Sequence, residues 1–262
     1  MDRVESKGEK NVMEISLTPE LVFNAGRFPV TNTVLMTAFV AVLIIVGAGL
    51  VKKRISLVPR GFQNVIEIVL EALLNLVDGV TQDRKQTKKF FPLIATIFIF
   101  VILSNWIELV PGLGTVGVEQ ERHGETVLIP FIRSNSADLN VTLAIALISV
   151  SAAQFAGVTA LGFRKYLGKF FVNPFKKPYF IGSFVGALEI ISEFAKMISF
   201  SFRLFGNIFA GEVLLTVMLM LVPYFIPLPF LFLEIFVGFI QALVFAMLTL
   251  VFMKMATVEM AH

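Results

Sequence analysis

Five long apolar stretches limit what this chain can fold into more than any other feature of its sequence. A membrane-spanning helix needs about 20 mostly apolar residues, and five stretches satisfy that length: 31–51, 91–110, 139–162, 180–222 and 230–255. Backbone N–H and C=O groups cannot stay unpaired in a bilayer, and a helix pairs them within the segment. We therefore predict an all-α, polytopic membrane protein with about five spans.

The fourth stretch, 180–222, is too long for one upright helix, so it has to tilt, bend or protrude. The short segment PYFIPLP, 223–229, separates it from the fifth stretch. We predict that the last two helices form a long tilted hairpin with 223–229 as its external turn.

The composition agrees with a membrane location and excludes several kinds of site. Charged residues make up 16% of the 262 residues and the mean hydropathy is +0.84, whereas a soluble domain carries about 25% charged residues. There are no Cys and only two His, His123 and His262, which excludes disulfides and leaves no histidine cluster for a metal. We expect no cofactor, no metal and no nucleic acid partner.

The chain reads as one membrane-embedded domain over 1–262, with 1–30 as an external segment. Its polar N-terminus has no basic region leading into a short apolar core, so we expect no signal peptide. Between the first two spans, apolar residues recur at helical spacing in 58–80, at Val65, Ile66, Val69, Leu73 and Leu76. This predicts an amphipathic helix at the membrane surface or packed against the bundle; a partly buried span is the alternative.

Lys and Arg in the loops predict the orientation, because they gather on cytoplasmic loops. The 52–89 loop has eight Lys and Arg and the 163–179 loop has five, whereas 111–138 has two. The first two loops are therefore predicted to be cytoplasmic. With five spans this places the N-terminus outside and the C-terminus inside.

Several polar residues lie within the last two spans, where burial is costly and usually has a functional reason. At helical spacing, one broad face of the fourth span collects Glu189, Lys196, Arg203 and Asn207, with Ser192 and Ser199 close to it. In the fifth span, Glu234 and Gln241 are seven residues apart and share a face. An antiparallel hairpin is expected to bring Glu234 near Glu212 and Gln241 near Arg203.

The position of Arg203 suggests how a proton path along these polar residues works. An arginine stays charged at any relevant pH, so it cannot relay a proton, but it separates two proton paths and attracts a carboxylate. Three alternatives remain open at this point. In the first, lipid headgroups are reached by Arg203 and Lys196. In the second, Lys196 merely forms ion pairs with Glu189 and Glu193. In the third, solvent at the outer surface surrounds Glu212 and Glu234.

Three classes of function are compatible with a polar path inside a membrane bundle. An ion-translocating subunit accounts for the charged face. A self-contained secondary transporter often carries internal repeats, and the sequence has none. An intramembrane enzyme needs a nucleophile with its base or a metal cluster. Gly157 and Gly162 have the spacing of a nucleotide-binding loop, but the Lys and Ser/Thr that follow in such a loop are missing.

The segment RLFGNIFAGE, 203–212, resembles the signature of the a subunit family of F-type ATP synthases. Four further segments resemble the same family: VPRGFQNVIE (58–67), SNWIELVP (104–111), SADLNVTLA (136–144) and IQALVFAMLTLVFM (240–253). The resemblance extends over nearly the whole chain. It implies a non-catalytic stator subunit of a bacterial plasma (inner) membrane that translocates ions, which we expect to be protons, through two offset half-channels. The implied partners are the c-ring, the peripheral stalk b subunits and the lipid bilayer.

The resemblance also implies a role for each matching residue. Arg203 faces the ion-binding carboxylate of the c-ring, and Gln241 is its neighbour. Asn207 and Glu212 line the outer half-channel, and Glu189, Ser192 and Ser199 line the cytoplasmic one. Polar positions near the outer entrance match Asn105, Glu108, Asp138 and Asn140.

One departure from the family concerns the coupling ion. Well-known members pair a glutamate with a histidine at the positions of Glu212 and Glu234, and here both are glutamates. Two nearby carboxylates do not ionise independently, so they can share a proton. They can also offer oxygen ligands to a cation. A Na⁺-coupled version of the same subunit is therefore the alternative to a proton-coupled one.

Overall fold

The computed structural model describes residues 19–56, 61–110, 112, 116–122, 125–131, 133–170, 181–222 and 225–258. The helices in this part of the chain are α1 (Asn32–Arg54), α2 (Phe62–Thr81), α3 (Arg84–Glu108), α4 (Leu139–Leu161), α5 (Phe163–Phe170), α6 (Ile181–Leu221) and α7 (Pro227–Thr257). Two short antiparallel hairpins complete the described elements. They are β1 (Leu21–Ala25) with β2 (Phe28–Thr31), and β3 (Gly117–Arg122) with β4 (Glu125–Pro130).

The predicted helical membrane architecture is confirmed. Within the described residues, five helices are long and apolar enough to cross a membrane: 32–53, 84–108, 139–161, 184–221 and 227–257. Two boundaries differ from the prediction. The helix α3 begins before residue 91, at Arg84, because the Asp83 side chain caps its N-terminus by accepting a hydrogen bond from the Lys85 N–H.

The predicted turn at 223–229 is too long. The helix α7 already begins at Pro227, because proline has a φ suited to the first helical turn and its missing N–H has no helical acceptor there. The two hairpins were also not predicted. The first joins its strands through Gly26 and Arg27, and Gly26 has the positive φ of 66° that glycine tolerates best.

The core lies where α3, α4, α6 and α7 pack together. Small residues such as Ala146, Ala242 and Ala246 are fully buried there, which lets the helix backbones approach closely. In contrast, α1 contacts the rest of the described chain mainly through α3, β2 and the 3₁₀ turn Asn135–Ala137. Most of its apolar side chains face outward, as expected for a helix in contact with lipid or another subunit.

The predicted amphipathic helix is α2. It buries Leu73 and Val77 and packs against α3 and α7. The Lys254 ammonium of α7 donates hydrogen bonds to the carbonyls of Val80 and Thr81, at the end of α2. Because the last carbonyls of a helix lack partners and carry partial negative charge, a lysine there is stabilising.

The helix α6 is unusually long, with 41 residues. At 1.5 Å per residue this corresponds to about 60 Å, roughly twice the hydrocarbon thickness of a bilayer. It runs antiparallel to α7 in the final hairpin and contacts α4, α5 and α7. Its polar residues are therefore spread over a distance that exceeds the bilayer core.

Candidate functional site

A buried ion pair connects the segment before α4 with the C-terminal half of α6. Arg133 donates from Nε to Oε1 of Glu212 at 3.1 Å and from Nη2 to Oε2 at 3.2 Å. Only 8% of the Arg133 side chain and 23% of the Glu212 side chain are exposed. This bidentate geometry is the strongest form of an arginine–carboxylate pair.

Two further carboxylates lie close to this pair. Glu234 of α7 is 7% exposed and lies against Gly211, where an added Cβ would overlap its carboxylate. Glu212 acts electrostatically on both Glu234 and Glu108. The N–H and hydroxyl of Ser134 also face the Glu108 carboxylate. We call Glu108, Arg133, Glu212 and Glu234 the outer cluster, because the Lys and Arg of the loops predict that this end of the bundle faces outward.

The outer cluster answers a question that the sequence left open, namely whether Glu212 and Glu234 are solvated or lie together. The structure brings Glu212 and Glu234 together, as the hairpin geometry predicted. The alternative in which both are merely solvated is wrong, since Glu234 is buried and Glu212 is ion-paired. Arg133 was missed as the partner of Glu212, because it counted only as one of the two cations in its loop.

Asp138 and Asn140 lie at the start of α4. The Asp138 carboxylate accepts hydrogen bonds from the N–H of Asn140 at 2.9 Å and from its Nδ2 at 3.1 Å, which caps the helix. The same carboxylate accepts a hydrogen bond from Thr33 Oγ1 of α1 at 2.8 Å. Asp138 therefore connects α1 with α4. It is also close to the outer cluster in sequence.

Buried polar atoms without a protein partner gather around these elements. Within the described residues they are Asn32 Nδ2, Asn105 Oδ1, Asn135 Oδ1 and Ser136 Oγ. The other atom of Asn105, Nδ2, donates to the Gly238 carbonyl at 3.2 Å and so ties α3 to α7. Buried polar groups without protein partners are usually satisfied by water. The region between α1, α3 and the start of α4 is therefore suited to hold water.

The N-terminal half of α6 borders an open cavity of about 330 Å³. Its lining includes Ser192, Lys196, Ser199 and Arg203 of α6, together with Phe252 of α7. Lys196 is bound to Glu193 at 2.7 Å and lies 5.1 Å from the centroid of the Phe252 ring. The predicted polar face of α6 thus forms one wall of a cavity. Glu189 is half-buried and is not part of its lining.

Arg203 is exposed on the surface of α6. Within the described part of the chain its guanidinium has no hydrogen-bond or ion-pair partner. Gln241 was predicted near Arg203, and its Oε1 accepts a hydrogen bond from Asn207 Nδ2, one turn from Arg203 on α6, at 2.9 Å. The Nε2 of Gln241 is buried and has no partner among the described residues. An arginine held at a protein surface without a partner is available to a second molecule.

Comparison with known proteins identifies the family. The family model for the ATP synthase A chain matches residues 33–254. The chain belongs to this family.

Similar relatives named ATP synthase subunit a have comparable lengths. One from Moorella thermoacetica is 31% identical over 235 residues, which cover 89% of this chain and 94% of the relative. One from Campylobacter jejuni is 36% identical over 219 residues, covering 84% and 87%. One from Campylobacter concisus is 34% identical over 223 residues, covering 85% and 88%.

The ATP synthase A chain family translocates ions in the membrane sector F0 of the synthase and is not itself catalytic. This chain is accordingly a multi-pass membrane protein and a component of F0. No group of three or more His, Cys, Asp or Glu among its described residues is arranged to hold a metal ion. The side chains of the site are carboxylates, amides, hydroxyls and guanidinium groups.

Proposed function

We propose that this chain is the stator subunit that carries protons across a bacterial plasma membrane through two offset half-channels, coupled to rotation of a c-ring. The observation that carries the proposal is the exposed guanidinium of Arg203, which has no partner among the described residues. It lies on α6 at the end of the cavity that is nearer to the outer cluster. Along an ideal helix it is about 13 Å from Glu212 and about 21 Å from Glu189.

The outer half-channel begins among the polar residues around Asn105, Asp138 and Asn140. Unpartnered buried polar atoms in this region support a hydrated entrance. Protons then pass to the carboxylates of Glu108, Glu212 and Glu234, which lie together. From there the hydrogen-bonded amides of Asn207 and Gln241 lead toward Arg203.

Arg203 is the barrier between the two half-channels. It carries a permanent charge and repels cations, so a proton cannot cross it directly. The exposed guanidinium is free to attract the ion-binding carboxylate of the c-ring. A proton picked up on the outer side therefore has to travel around with the rotor.

The inner half-channel follows the wall of the open cavity. Ser192 and Ser199 supply hydroxyls along it, and Glu189 supplies a carboxylate farther toward the cytoplasm. The distribution of Lys and Arg among the loops supports this orientation, with the N-terminus outside and the C-terminus inside. The exposed apolar face of α1 contacts lipid and the peripheral stalk b subunits in this proposal.

The outer cluster favours protons over Na⁺ as the coupling ion. A Na⁺ site needs several oxygen ligands around the cation, but Arg133 already occupies both oxygens of Glu212 and would repel a second cation. The three carboxylates of the outer cluster suit proton transfer better than Na⁺ coordination.

The test is ATP-driven ion pumping by the whole complex in inverted membrane vesicles, with Arg203→Ala beside wild type. We expect pumping to fall more than 100-fold, which corresponds to about 2.7 kcal/mol, while the complex still assembles and hydrolyses ATP. The matched control is Arg164→Ala, which removes an exposed arginine of α5 and is expected to pump normally. Wild-type pumping should not depend on Na⁺.

Two results would overturn the assignment. Normal pumping by Arg203→Ala would make the residue structural. Pumping that requires Na⁺ would transfer the assignment to the Na⁺-coupled alternative.

A further inference from the structure

A pair of buried hydroxyl groups joins α4 to α6. The Oγ1 of Thr142 and the Oγ of Ser201 are 3.0 Å apart, although 59 residues separate them in the sequence. Both side chains are fully buried. Ala146, one turn along α4, and Leu204, one turn along α6, are fully buried as well. The pair is therefore a polar contact inside an apolar helix interface.

The direction of this hydrogen bond follows from a second contact of Thr142. The Thr142 hydroxyl also lies 3.1 Å from the Leu139 carbonyl, to which it donates a hydrogen bond. A hydroxyl has only one hydrogen to donate, and Thr142 uses it for this carbonyl. Ser201 therefore donates to Thr142, so that the contact between the helices has a defined donor on α6 and a defined acceptor on α4.

Ser201 and Arg203 lie on opposite sides of α6. They are two residues apart, which corresponds to about 200° around an ideal helix. Ser201 faces α4 and is buried, whereas Arg203 is exposed and lines the open cavity. A rotation of α6 about its axis would move both groups by the same angle. For a helix of about 6 Å radius, a rotation of about 20° displaces a group at its edge by roughly 2 Å.

The direction of Arg203 is not fixed by its own surroundings. Within the described part of the chain its guanidinium has no hydrogen-bond or ion-pair partner. On the buried side of α6, Leu204 and Ile208 pack against the bundle, but apolar contacts have no directional preference. A hydrogen bond depends on angle as well as distance, and Ser and Thr hydroxyls join helices in membranes in this way. The hydroxyl pair therefore constrains the rotation of α6 more sharply than its apolar neighbours do.

We propose, on the basis of the function proposed above, that Thr142 and Ser201 form a positioning pair that fixes the rotation of α6 and thereby the direction in which Arg203 faces the c-ring. Neither residue carries the ion. A guanidinium turned away from the rotor would separate the two half-channels less completely, since its charge is the barrier between them. Protons would then leak between the half-channels without turning the rotor. Loss of the pair should therefore lower the number of protons pumped per ATP.

The test measures the protons pumped per ATP hydrolysed by the whole complex in inverted membrane vesicles. Ser201→Ala removes the donor and leaves the Thr142 hydroxyl bonded to the Leu139 carbonyl. We expect the ratio to fall about threefold, the factor that corresponds to a typical hydrogen bond between membrane helices. The amount of assembled complex should stay normal.

Two further variants make the test independent of a single substitution. Thr142→Val removes the acceptor at similar volume and should lower the ratio equally. Combined with Ser201→Ala it should lower the ratio no further, because both changes remove the same hydrogen bond. Thr142→Ser with Ser201→Thr keeps a hydroxyl on each helix and the total side-chain volume, and should pump like wild type.

The control is Ser149→Ala, two turns farther along α4. Ser149 is 1% exposed, and among the described residues its hydroxyl bonds the Ile145 carbonyl of its own helix, at 3.0 Å. This variant removes a buried hydroxyl from α4 but leaves the contact between Thr142 and Ser201 in place. Its ratio of protons to ATP should be normal.

A thiol label reports the rotation of α6 directly. The chain has no Cys, so Ser199→Cys places a single thiol of this chain on the wall of the cavity, one turn before Arg203. Its labelling rate with a water-soluble maleimide should change when Ser201→Ala is added. Adding Ser149→Ala instead should leave the labelling rate unchanged.

An unchanged ratio in both Ser201→Ala and Thr142→Val would overturn the pair. A lower ratio with unchanged labelling of Ser199→Cys, or an equal fall in Ser149→Ala, would do the same, since the defect would not come from rotation of α6. Arg203→Ala in the same vesicles separates these outcomes from failure of the main proposal. If that variant pumps normally, the half-channel function fails whatever the hydroxyl pair does; if it does not, a negative result concerns the pair alone.

Discussion

Two arginines lie near the proposed proton path, Arg133 and Arg203, and their environments in the structure are opposite. Arg133 is buried and held by both oxygens of Glu212. Arg203 is exposed and has no partner among the described residues. The chain neutralises the first charge internally and leaves the second for another molecule.

This difference implies different roles for the same side chain. A buried pair cannot lose one member cheaply, because the other charge is left without compensation. An exposed arginine without a partner contributes little to the stability of its own chain. Loss of Arg133 should therefore damage the fold, whereas loss of Arg203 should damage only ion transport.

The largest effect is expected from Arg133→Leu. It leaves the Glu212 carboxylate partly buried without its arginine, which should cost about 3 kcal/mol of stability. Less of the subunit should then be found in assembled complexes, and these should melt at a lower temperature. The rescue variant is Arg133→Leu with Glu212→Gln, which removes both charges and should recover most of the stability. If Arg133→Leu assembles and melts like wild type while Arg203→Ala does not, the contrast between the two arginines is reversed.

A smaller effect is expected from Gly211→Ala, which tests the outer cluster without removing a charge. The new methyl group would occupy the position of the Glu234 carboxylate and displace it from Glu212. We expect proton flow to fall about tenfold, which is equivalent to about 1.4 kcal/mol, with normal assembly. The matched control is Gly47→Ala on α1, where an added Cβ meets nothing within 4 Å of the described chain. Equal flow in both variants would show that the position of Glu234 does not matter.

The smallest effect is expected from Thr33→Val, which removes the hydrogen bond from α1 to Asp138. Its loss should cost about 1 kcal/mol, the usual contribution of a single hydrogen bond, and should leave the pumping ratio per ATP unchanged. Thr96→Val is the control, because among the described residues its hydroxyl bonds only the Pro92 carbonyl of its own helix. Both are measured by thermal unfolding of the purified complex. A coupling defect in Thr33→Val would extend the functional path into α1.

The parts of the fold that could be predicted are those encoded in local pattern. Span length alone locates the five membrane helices, and helical periodicity reveals α2. Spacing along one helix places Arg203 on the same face as Lys196 and Ser199. These features depend on neighbours within one segment, so no tertiary information is needed.

The parts that could not be predicted depend on contacts between distant segments. Arg133 and Glu212 are 79 residues apart, and no local spacing marks an arginine of a loop as the partner of a helix glutamate. The hydrogen bond between Asn207 and Gln241 likewise depends on how α6 and α7 pack. Gly157 gave a false nucleotide-loop spacing, while its actual use is to admit the ring of Tyr166.

The hydrogen bonds from Lys254 to the end of α2 join positions 174 and 173 residues apart. During translation α2 leaves the ribosome early, whereas its lysine arrives only with the last helix of the hairpin. During most of synthesis, the last carbonyls of α2 therefore lack the hydrogen bonds from this lysine. This contact forms only when α7 has been made, so the end of α2 is fixed after the final hairpin is in place.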